Sequence, residues 1–248
     1  MKVVILAGGY GTRMEEYTKT IPKPMIKLND TPIMMKIVSH YYNYGYKDFY
    51  IAMGYKYEII VQYFKKNFKE IKNKSFKNND KKNYYFYDLK NECKFNLIYT
   101  GQNTMTGGRI KRLKKYLPDE NFMMTYGDGV SNVNIKKLLK FHIDKKKIVT
   151  LTAVNPPARF GALEIKDGII TKFKEKIKLK ESWINGGYFV INNKIFEYIK
   201  SDKTYFEREP LEKLSKENNL SAYKHNGFWQ CMDTKRDKDY LENFYKNK

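Results

Sequence analysis

Short apolar runs alternate with amphipathic stretches along the first part of the chain. The run Lys2–Ala7 is rich in β-branched residues, which is typical of a buried strand, and Lys47–Tyr55 has the same apolar character. Stretches with helical periodicity follow them, from Pro32 to Tyr44 and from Tyr57 to Phe68. This alternation of strand and helix predicts a parallel sheet with helices on both of its faces.

The second half of the chain has more strand character. The pattern predicts strands at Lys94–Thr100, Asn121–Val130, Ile148–Val154 and Trp183–Asn192, helices at Thr106–Leu117 and Ile135–Lys147, a hairpin at Gly161–Glu175 that turns at Asp167-Gly168, and a C-terminal helix. No internal repeat and no Pro- or Ser-rich linker interrupts these elements. Residues 1–248 are therefore expected to form one α/β domain around a mixed, mostly parallel sheet.

The composition excludes two classes of protein. The two cysteines, Cys93 and Cys231, are far apart and have no CxxC spacing, which argues against a disulfide scaffold or a zinc finger. No apolar run approaches the length of a membrane span, and the apolar run after Lys2 is too short for a signal peptide. We therefore expect a protein of the reducing cytoplasm with no membrane partner.

The net charge of +21 raises the alternative of a nucleic-acid-binding protein. However, only six of the 48 cationic residues are arginine, and the lysines are spread over the whole chain. A basic surface that is solvated along its whole length needs no nucleic-acid partner. We therefore expect no nucleic-acid partner. The net charge is the sole support for the alternative of a nucleic-acid-binding protein.

A glycine-rich loop, "GGYGTR", directly follows the first predicted strand. It lacks the third glycine of a dinucleotide fingerprint, because Met14 stands there, and it does not match a P-loop. Gly8, Gly9 and Gly11 can bring backbone amides close to phosphate groups, and Arg13 and Lys23 add full positive charges. The residues therefore favour a loop that cradles a nucleoside triphosphate.

A second candidate is Asp128, between two glycines at the end of the apolar strand that begins at Asn121. In open α/β sheets, ligands bind just beyond the carboxyl ends of the strands. A carboxylate there can hold Mg²⁺, which completes its coordination shell with phosphate oxygens and water. A simple turn aspartate is the other interpretation of this residue.

Seven segments of the chain together resemble the sugar-1-phosphate nucleotidylyltransferases, which have a Rossmann-like nucleotide-diphospho-sugar transferase fold. They are "LAGGYGTRMEEYTKTIPKPM", "MTGGRIKR", "TYGDGVSNVNI", "PPARFGALEI", "INGGYFVIN", "EREPLEKL" and "GFWQCMDTKRDKDYLE". Within that family they are most similar to the glucose-1-phosphate cytidylyltransferases. The resemblance implies transfer of a cytidylyl group from CTP to glucose 1-phosphate, with Mg²⁺ as cofactor, in the biosynthesis of nucleotide sugars and polysaccharides.

The resemblance also implies roles for particular residues. It divides the chain into a nucleotide-binding half, about residues 1–127, and an acceptor- and metal-binding half, about residues 128–248. The implied catalytic residues are Arg13, Lys23 and Asp128, and the implied metal ligands are Asp128 and Asp233. The implied nucleotide-binding residues are Leu6, Ala7, Gly8, Gly9, Gly11, Thr12, Arg13, Lys23, Thr104, Arg109 and Gly127. A homo-oligomer is also implied.

On the acceptor side the resemblance implies contacts from Glu175, Lys176, Asn185 and Gly186. The family usually has Glu-Lys-Pro at the first two of these positions, but here Ile177 follows Lys176. This departure leaves open a different phosphorylated acceptor, or a nucleotide other than CTP.

Overall fold

The computed structural model of the chain describes residues 1–71, 82–118, 120–156, 162–174 and 182–247. Its helices are α1 (Glu15–Thr18), α2 (Ile33–Tyr42), α3 (Tyr57–Asn67), α4 (Thr106–Arg112), α5 (Ile135–Lys145), α6 (Glu209–Lys216) and α7 (Lys235–Lys246). Short 3₁₀ helices cover Thr12–Met14, Lys23–Met25, Lys114–Tyr116 and Asn193–Glu197. Within these described ranges, each helix is too short or too polar to cross a membrane.

Nine strands form the central sheet. They are β1 (Val3–Ala7), β4 (Asp48–Met53), β5 (Lys69–Glu70), β6 (Tyr84–Asp88), β7 (Cys93–Tyr99), β8 (Asn121–Tyr126), β10 (Val149–Val154), β13 (Ile184–Asn192) and β14 (Leu220–His225). Three smaller two-stranded sheets pair β2 (Lys27–Leu28) with β3 (Thr31–Pro32), β9 (Gly129–Ser131) with β15 (Trp229–Cys231), and β11 (Ala162–Lys166) with β12 (Ile169–Lys174).

The centre of the large sheet is parallel. The strand order is β14-β10-β13-β8-β1-β4-β7-β6-β5, and β1 pairs in parallel with both β4 and β8. The chain passes from β1 to β4 and β7 on one side and then returns to β8 on the other. This reversal of strand order leaves a crevice at the carboxyl ends of β1 and β8, where ligands bind in such sheets. The predicted mixed sheet is confirmed.

The two faces of the sheet carry separate apolar layers, as the burial of β1 shows. Val3, Ile5 and Ala7 pack into one layer, whereas Val4 and Leu6 pack into the other, because successive side chains of a strand point to opposite faces. Helices cover both faces. The first layer contains Ile37 of α2, Phe64 of α3, Leu138 of α5 and Leu241 of α7; the second contains Ile110 of α4 and Leu214 of α6.

The predicted helix at 106–117 ends earlier than expected. It stops at Arg112 and is followed by the 3₁₀ helix Lys114–Tyr116. A 3₁₀ turn aligns residues three apart on one face, and Leu113 and Tyr116 are both buried in the second apolar layer. The tighter turn therefore allows the chain to bury two large side chains next to each other.

The predicted turn at Asp167-Gly168 is confirmed. Both residues have positive φ, 51° and 81°, which is the backbone of the two-residue turn that matches strand twist. The edge strand β14 was not predicted. It lies parallel to β10 and is largely polar and half-exposed, so its apolar pattern is weak.

Candidate active site

A cavity of about 630 Å³ opens at the carboxyl ends of β1 and β8. Fifteen of the predicted site residues line it: Leu6, Ala7, Gly8, Gly9, Gly11, Thr12, Arg13, Lys23, Thr104, Arg109, Gly127, Asp128, Asn185, Gly186 and Asp233. Glu175 and Lys176 lie outside the described residues. The structure therefore gathers segments that are more than 200 residues apart in the chain around one space.

The glycine-rich loop forms the wall that follows β1. A Cβ at Gly9 would meet nothing within 4 Å, so this residue borders open space. Gly11 has a φ of +66°, a conformation that glycine adopts without strain, and it leads directly into the 3₁₀ helix Thr12–Met14. The loop is therefore shaped so that bare backbone faces the cavity.

The buried side chain of Arg109 is hydrogen-bonded to this loop. Its guanidinium donates to the carbonyls of Gly8 (2.8 Å), Met53 (3.2 Å), Gly101 (2.7 Å) and Gln102 (3.2 Å) and to the hydroxyl of Thr100 (2.9 Å). These oxygens belong to the last residue of β4 and to the loops that follow β1 and β7. One buried side chain thus ties together the carboxyl ends of three neighbouring strands.

The environment of Arg109 is unusual for a charged group. The residue is 3% exposed, and its five contacts are to neutral oxygens. Burial lowers the pKa of Arg109 to about 10, which still leaves it charged at neutral pH. Glycine at position 8 is required, because a Cβ there would lie 2.2 Å from the guanidinium. The predicted contact of Arg109 with a nucleotide remains a prediction, and the geometry shows a role in positioning the loop.

Beside the glycine-rich loop, next to Gly11, Lys23 lies between two carboxylates. Its ammonium donates to Asp128 Oδ2 and to Asp233 Oδ1, each at 2.6 Å. The side chain of Lys23 is only 7% exposed and that of Asp233 11%. Arg13, whose side chain is 71% exposed, contacts the other oxygen of Asp233. All four predicted charged residues therefore meet in one network.

Strand pairing brings the two carboxylates together. Gly129 of β9 pairs with Cys231 of β15, and the amide of Met232 donates to the carbonyl of Asp128 at 2.9 Å. Asp128 thus immediately precedes one strand of this small sheet, and Asp233 lies just after the other. The predicted association of Asp128 with Asp233 is present in the structure.

The network shifts the pKa values of Lys23 and Asp233. Burial by itself would lower the pKa of Lys23, but the neighbouring carboxylates outweigh it and raise the pKa above its ordinary value. Burial would raise the pKa of Asp233, but the Lys23 ammonium and Arg13 hold it below its ordinary value. The carboxylate and the ammonium therefore stay charged together at neutral pH.

The same group of side chains fits a divalent metal ion. Ligand atoms of Asp128, Cys231 and Asp233 all lie within 4.8 Å of one another. A cationic ammonium already lies within hydrogen-bond distance of both carboxylates. Mg²⁺ is commonly held by one or two carboxylates together with substrate phosphates and water, so Asp128 and Asp233 have the chemistry that this ion requires.

The wall of the cavity around Tyr126 and Thr106 carries a further carboxylate, that of Glu207. Tyr126 and Thr106 donate to its two oxygens at 2.5 and 2.6 Å. The sequence interpretation did not select Glu207, although it begins the segment "EREPLEKL". Asn185 lies on the same wall, and its side chain accepts from the amide of Gly187 at 2.9 Å.

Comparison with known proteins agrees with this geometry. The family of nucleotidyl transferases matches residues 2–247 of the chain. The chain therefore belongs to the nucleotidyl transferase family. It is 44% identical over 246 residues to the glucose-1-phosphate cytidylyltransferase of Salmonella typhimurium, an alignment that covers 99% of this chain and 96% of that protein.

Two further comparisons extend the similarity. The probable glucose-1-phosphate cytidylyltransferase of Bacillus subtilis is 39% identical over 235 residues, which cover 94% of this chain and 92% of that protein. The crystal structure of HddC from Yersinia pseudotuberculosis superposes with a TM-score of 0.72, covering 98% of this chain and 99% of that one, at 23% identity. At that identity the likeness concerns the fold, and it confirms the predicted sheet architecture.

Replacing Arg109 with methionine is expected to destabilise the chain by about 3 kcal/mol, because several buried carbonyls lose a charged donor at once. Arg112 provides a matched control, since it lies on the same helix but pairs with Asp202 at the exposed surface. Arg112→Ala is expected to cost less than about 1 kcal/mol. Urea unfolding of both variants measures the difference. Equal stability losses would contradict the role assigned to Arg109.

Proposed function

We propose that the chain transfers a cytidylyl group from CTP to glucose 1-phosphate and releases pyrophosphate. The observation that carries this proposal is the meeting of the glycine-rich loop, Lys23, Asp128 and Asp233 around one cavity. The extensive identity with glucose-1-phosphate cytidylyltransferases supports the choice of CTP and of glucose 1-phosphate. The family and the site support the reaction class, and the relatives support the choice of substrates.

The reaction itself needs positioning and charge more than acid–base chemistry. The attacking phosphate oxygen of the sugar is already an anion at neutral pH, so no general base has to remove a proton. It attacks the α-phosphorus of CTP in line with the departing pyrophosphate. The difficulty is the approach of two polyanions, and preorganised cations in a partly dry site reduce that cost.

Arg13 and Lys23 would supply these cations. The guanidinium of Arg13 is well exposed at the cavity, and its planar fork can bind two oxygens of the leaving pyrophosphate. The Lys23 ammonium lies deeper, with a side chain only 7% exposed, and would act as a point charge at the α-phosphate. In the structure both cations are paired with carboxylates.

Asp128 and Asp233 would hold Mg²⁺. The ion supplies a positive centre that neutralises phosphate oxygens and orients the triphosphate. With the carboxylates compensated in this way, Lys23 and Arg13 would be available to bind the phosphates. The ion pairs of Lys23 with both aspartates therefore balance the charges of the site before substrates bind.

Glu207 and Asn185 would form the acceptor side. Each oxygen of the Glu207 carboxylate already accepts one hydroxyl, and a carboxylate has further lone pairs for sugar hydroxyls. The contacts predicted for Glu175, Lys176 and Gly186 remain part of the same proposal. The proposed substrates are cytoplasmic metabolites, so the proposal includes that location. The homo-oligomer remains a prediction.

Pyrophosphate release across a panel of nucleotides and sugar phosphates tests the proposed function. We expect turnover with CTP and glucose 1-phosphate in the presence of Mg²⁺, and loss of turnover when EDTA removes the metal. Turnover restricted to another nucleotide or another acceptor would replace the proposed substrates. Absence of turnover combined with tight, salt-sensitive binding of an unrelated oligonucleotide would favour the nucleic-acid alternative.

Asp128→Asn keeps the size of the side chain and removes its charge. We expect kcat to fall at least about a hundredfold, because an electrostatic contact to the reacting phosphates is lost. Asp144→Asn, on the exposed surface of α5, is the matched control and should leave kcat unchanged. Steady-state kinetics with circular dichroism of each variant checks this. Near-normal kcat in Asp128→Asn would remove Asp128 from the site.

Glu207→Gln is expected to weaken the acceptor selectively. The KM for glucose 1-phosphate should rise about tenfold, the equivalent of about 1.4 kcal/mol for one charged hydrogen bond, while the KM for CTP stays unchanged. The control is Glu209→Gln, two residues away, where the carboxylate pairs with the exposed Lys200 instead. An equal rise in both KM values would show that Glu207 only supports the fold of the cavity.

A further inference from the structure

Asp128, Cys231 and Asp233 form a cluster of possible metal ligands. The proposed function uses the two aspartates but gives no role to Cys231. Its sulfur lies within 4.8 Å of ligand oxygens of Asp128 and Asp233. The residue lines the cavity together with both aspartates. A metal ion held by the two carboxylates would therefore lie close to this thiol.

The backbone places the thiol there. Cys231, the last residue of β15, and Asp233 are two residues apart, and their ligand atoms lie within 4.8 Å of each other. Met232, between them, points the other way and is fully buried in the first apolar layer. The pairing of Cys231 with Gly129 then brings both side chains beside Asp128. The register of the β9–β15 pair therefore brings the three side chains together.

We propose that Cys231 gives this metal site a third, sulfur ligand, so that the chain also binds thiophilic divalent cations such as Co²⁺, Zn²⁺ and Cd²⁺. This inference rests on the proposed assignment of Asp128 and Asp233 as metal ligands. Mg²⁺ prefers oxygen ligands and gains nothing from a thiolate, whereas softer ions select sulfur. A two-aspartate, one-cysteine set therefore has a metal preference that two aspartates alone lack.

The distances are compatible with such a site. With metal–sulfur bonds near 2.3 Å and metal–oxygen bonds of about 2.1 Å, the ligand atoms of a tetrahedral site lie about 3.5 Å apart. The present separations are at most 4.8 Å, and Asp128 and Cys231 are only partly buried, so rotations of these two side chains can close the set around the buried Asp233. Binding converts the thiol to a metal-bound thiolate, and its proton passes to solvent.

The ion that binds in this way occupies the site proposed for Mg²⁺. Thiophilic cations should therefore compete with Mg²⁺ and inhibit the reaction at low concentration. Removal of the sulfur should weaken their binding by at least about tenfold and leave the binding of Mg²⁺ essentially unchanged. These two effects together distinguish a cysteine that binds the metal through its sulfur from a cysteine that only fills space.

Titration of the full-length chain with Co²⁺, without substrates, tests the proposal. A thiolate bound to Co²⁺ produces a charge-transfer absorption band in the near ultraviolet. We expect this band to saturate at one Co²⁺ per chain, and to disappear in Cys231→Ala. Cys93→Ala is the matched control, because Cys93 is the other cysteine and lies on β7 with its thiol directed to the carbonyl of Asn91. It should retain the band.

Two results would overturn the proposal: no band in the unmodified chain, or an undiminished band in Cys231→Ala. Circular dichroism of both variants confirms that each is folded, and a Co²⁺ titration of Asp128→Asn, which should weaken the band, verifies that the carboxylates share the ion. Because the band is measured without substrates, its absence would leave the Mg²⁺-dependent reaction standing. Conversely, loss of turnover with CTP would leave the cobalt result valid.

Discussion

Two half-buried carboxylates beside each other require a positive charge, and this requirement organises the site. A charged group that is removed from water and left unpaired costs several kcal/mol. Lys23 meets the requirement for Asp128 and Asp233 at the same time, with contacts of 2.6 Å. Since the three residues come from separate parts of the chain, their charge balance couples the amino-terminal loop to the carboxyl-terminal strand pair.

The same principle supports the proposal that the cavity takes a metal complex of a polyphosphate. The carboxylates attract a cation, and the loop beside them presents backbone and the exposed guanidinium of Arg13 to the cavity. In the proposed reaction, a divalent ion held by Asp128 and Asp233 would compensate the two carboxylates and leave the positive charge of Lys23 for the phosphates.

Arg109 is positively charged like Lys23, but it positions the backbone instead of compensating carboxylates. It binds neutral carbonyl oxygens at the ends of β1, β4 and β7. The carbonyl of Gly8 also accepts the amide of Tyr55, and that of Met53 the amide of Thr100, so the guanidinium adds a charged donor to backbone hydrogen bonds that already join these strand ends. The guanidinium thus fixes the shape of the wall that follows β1. Gly8 is part of this arrangement, because any side chain there would collide with Arg109.

The sequence by itself determined the alternation of strands and helices, the turn at Asp167-Gly168 and the cavity residues of the glycine-rich loop, because these depend on local patterns and on residues close in the chain. Only the tertiary structure decided how Arg109 is used, that Glu207 lines the cavity and that Cys231 lies beside the two aspartates. The reason is physical: the direction of a side chain and the identity of its neighbours follow from strand register and packing. Pairing between β9 and β15 joins segments about 100 residues apart, and no local pattern in the chain specifies that contact.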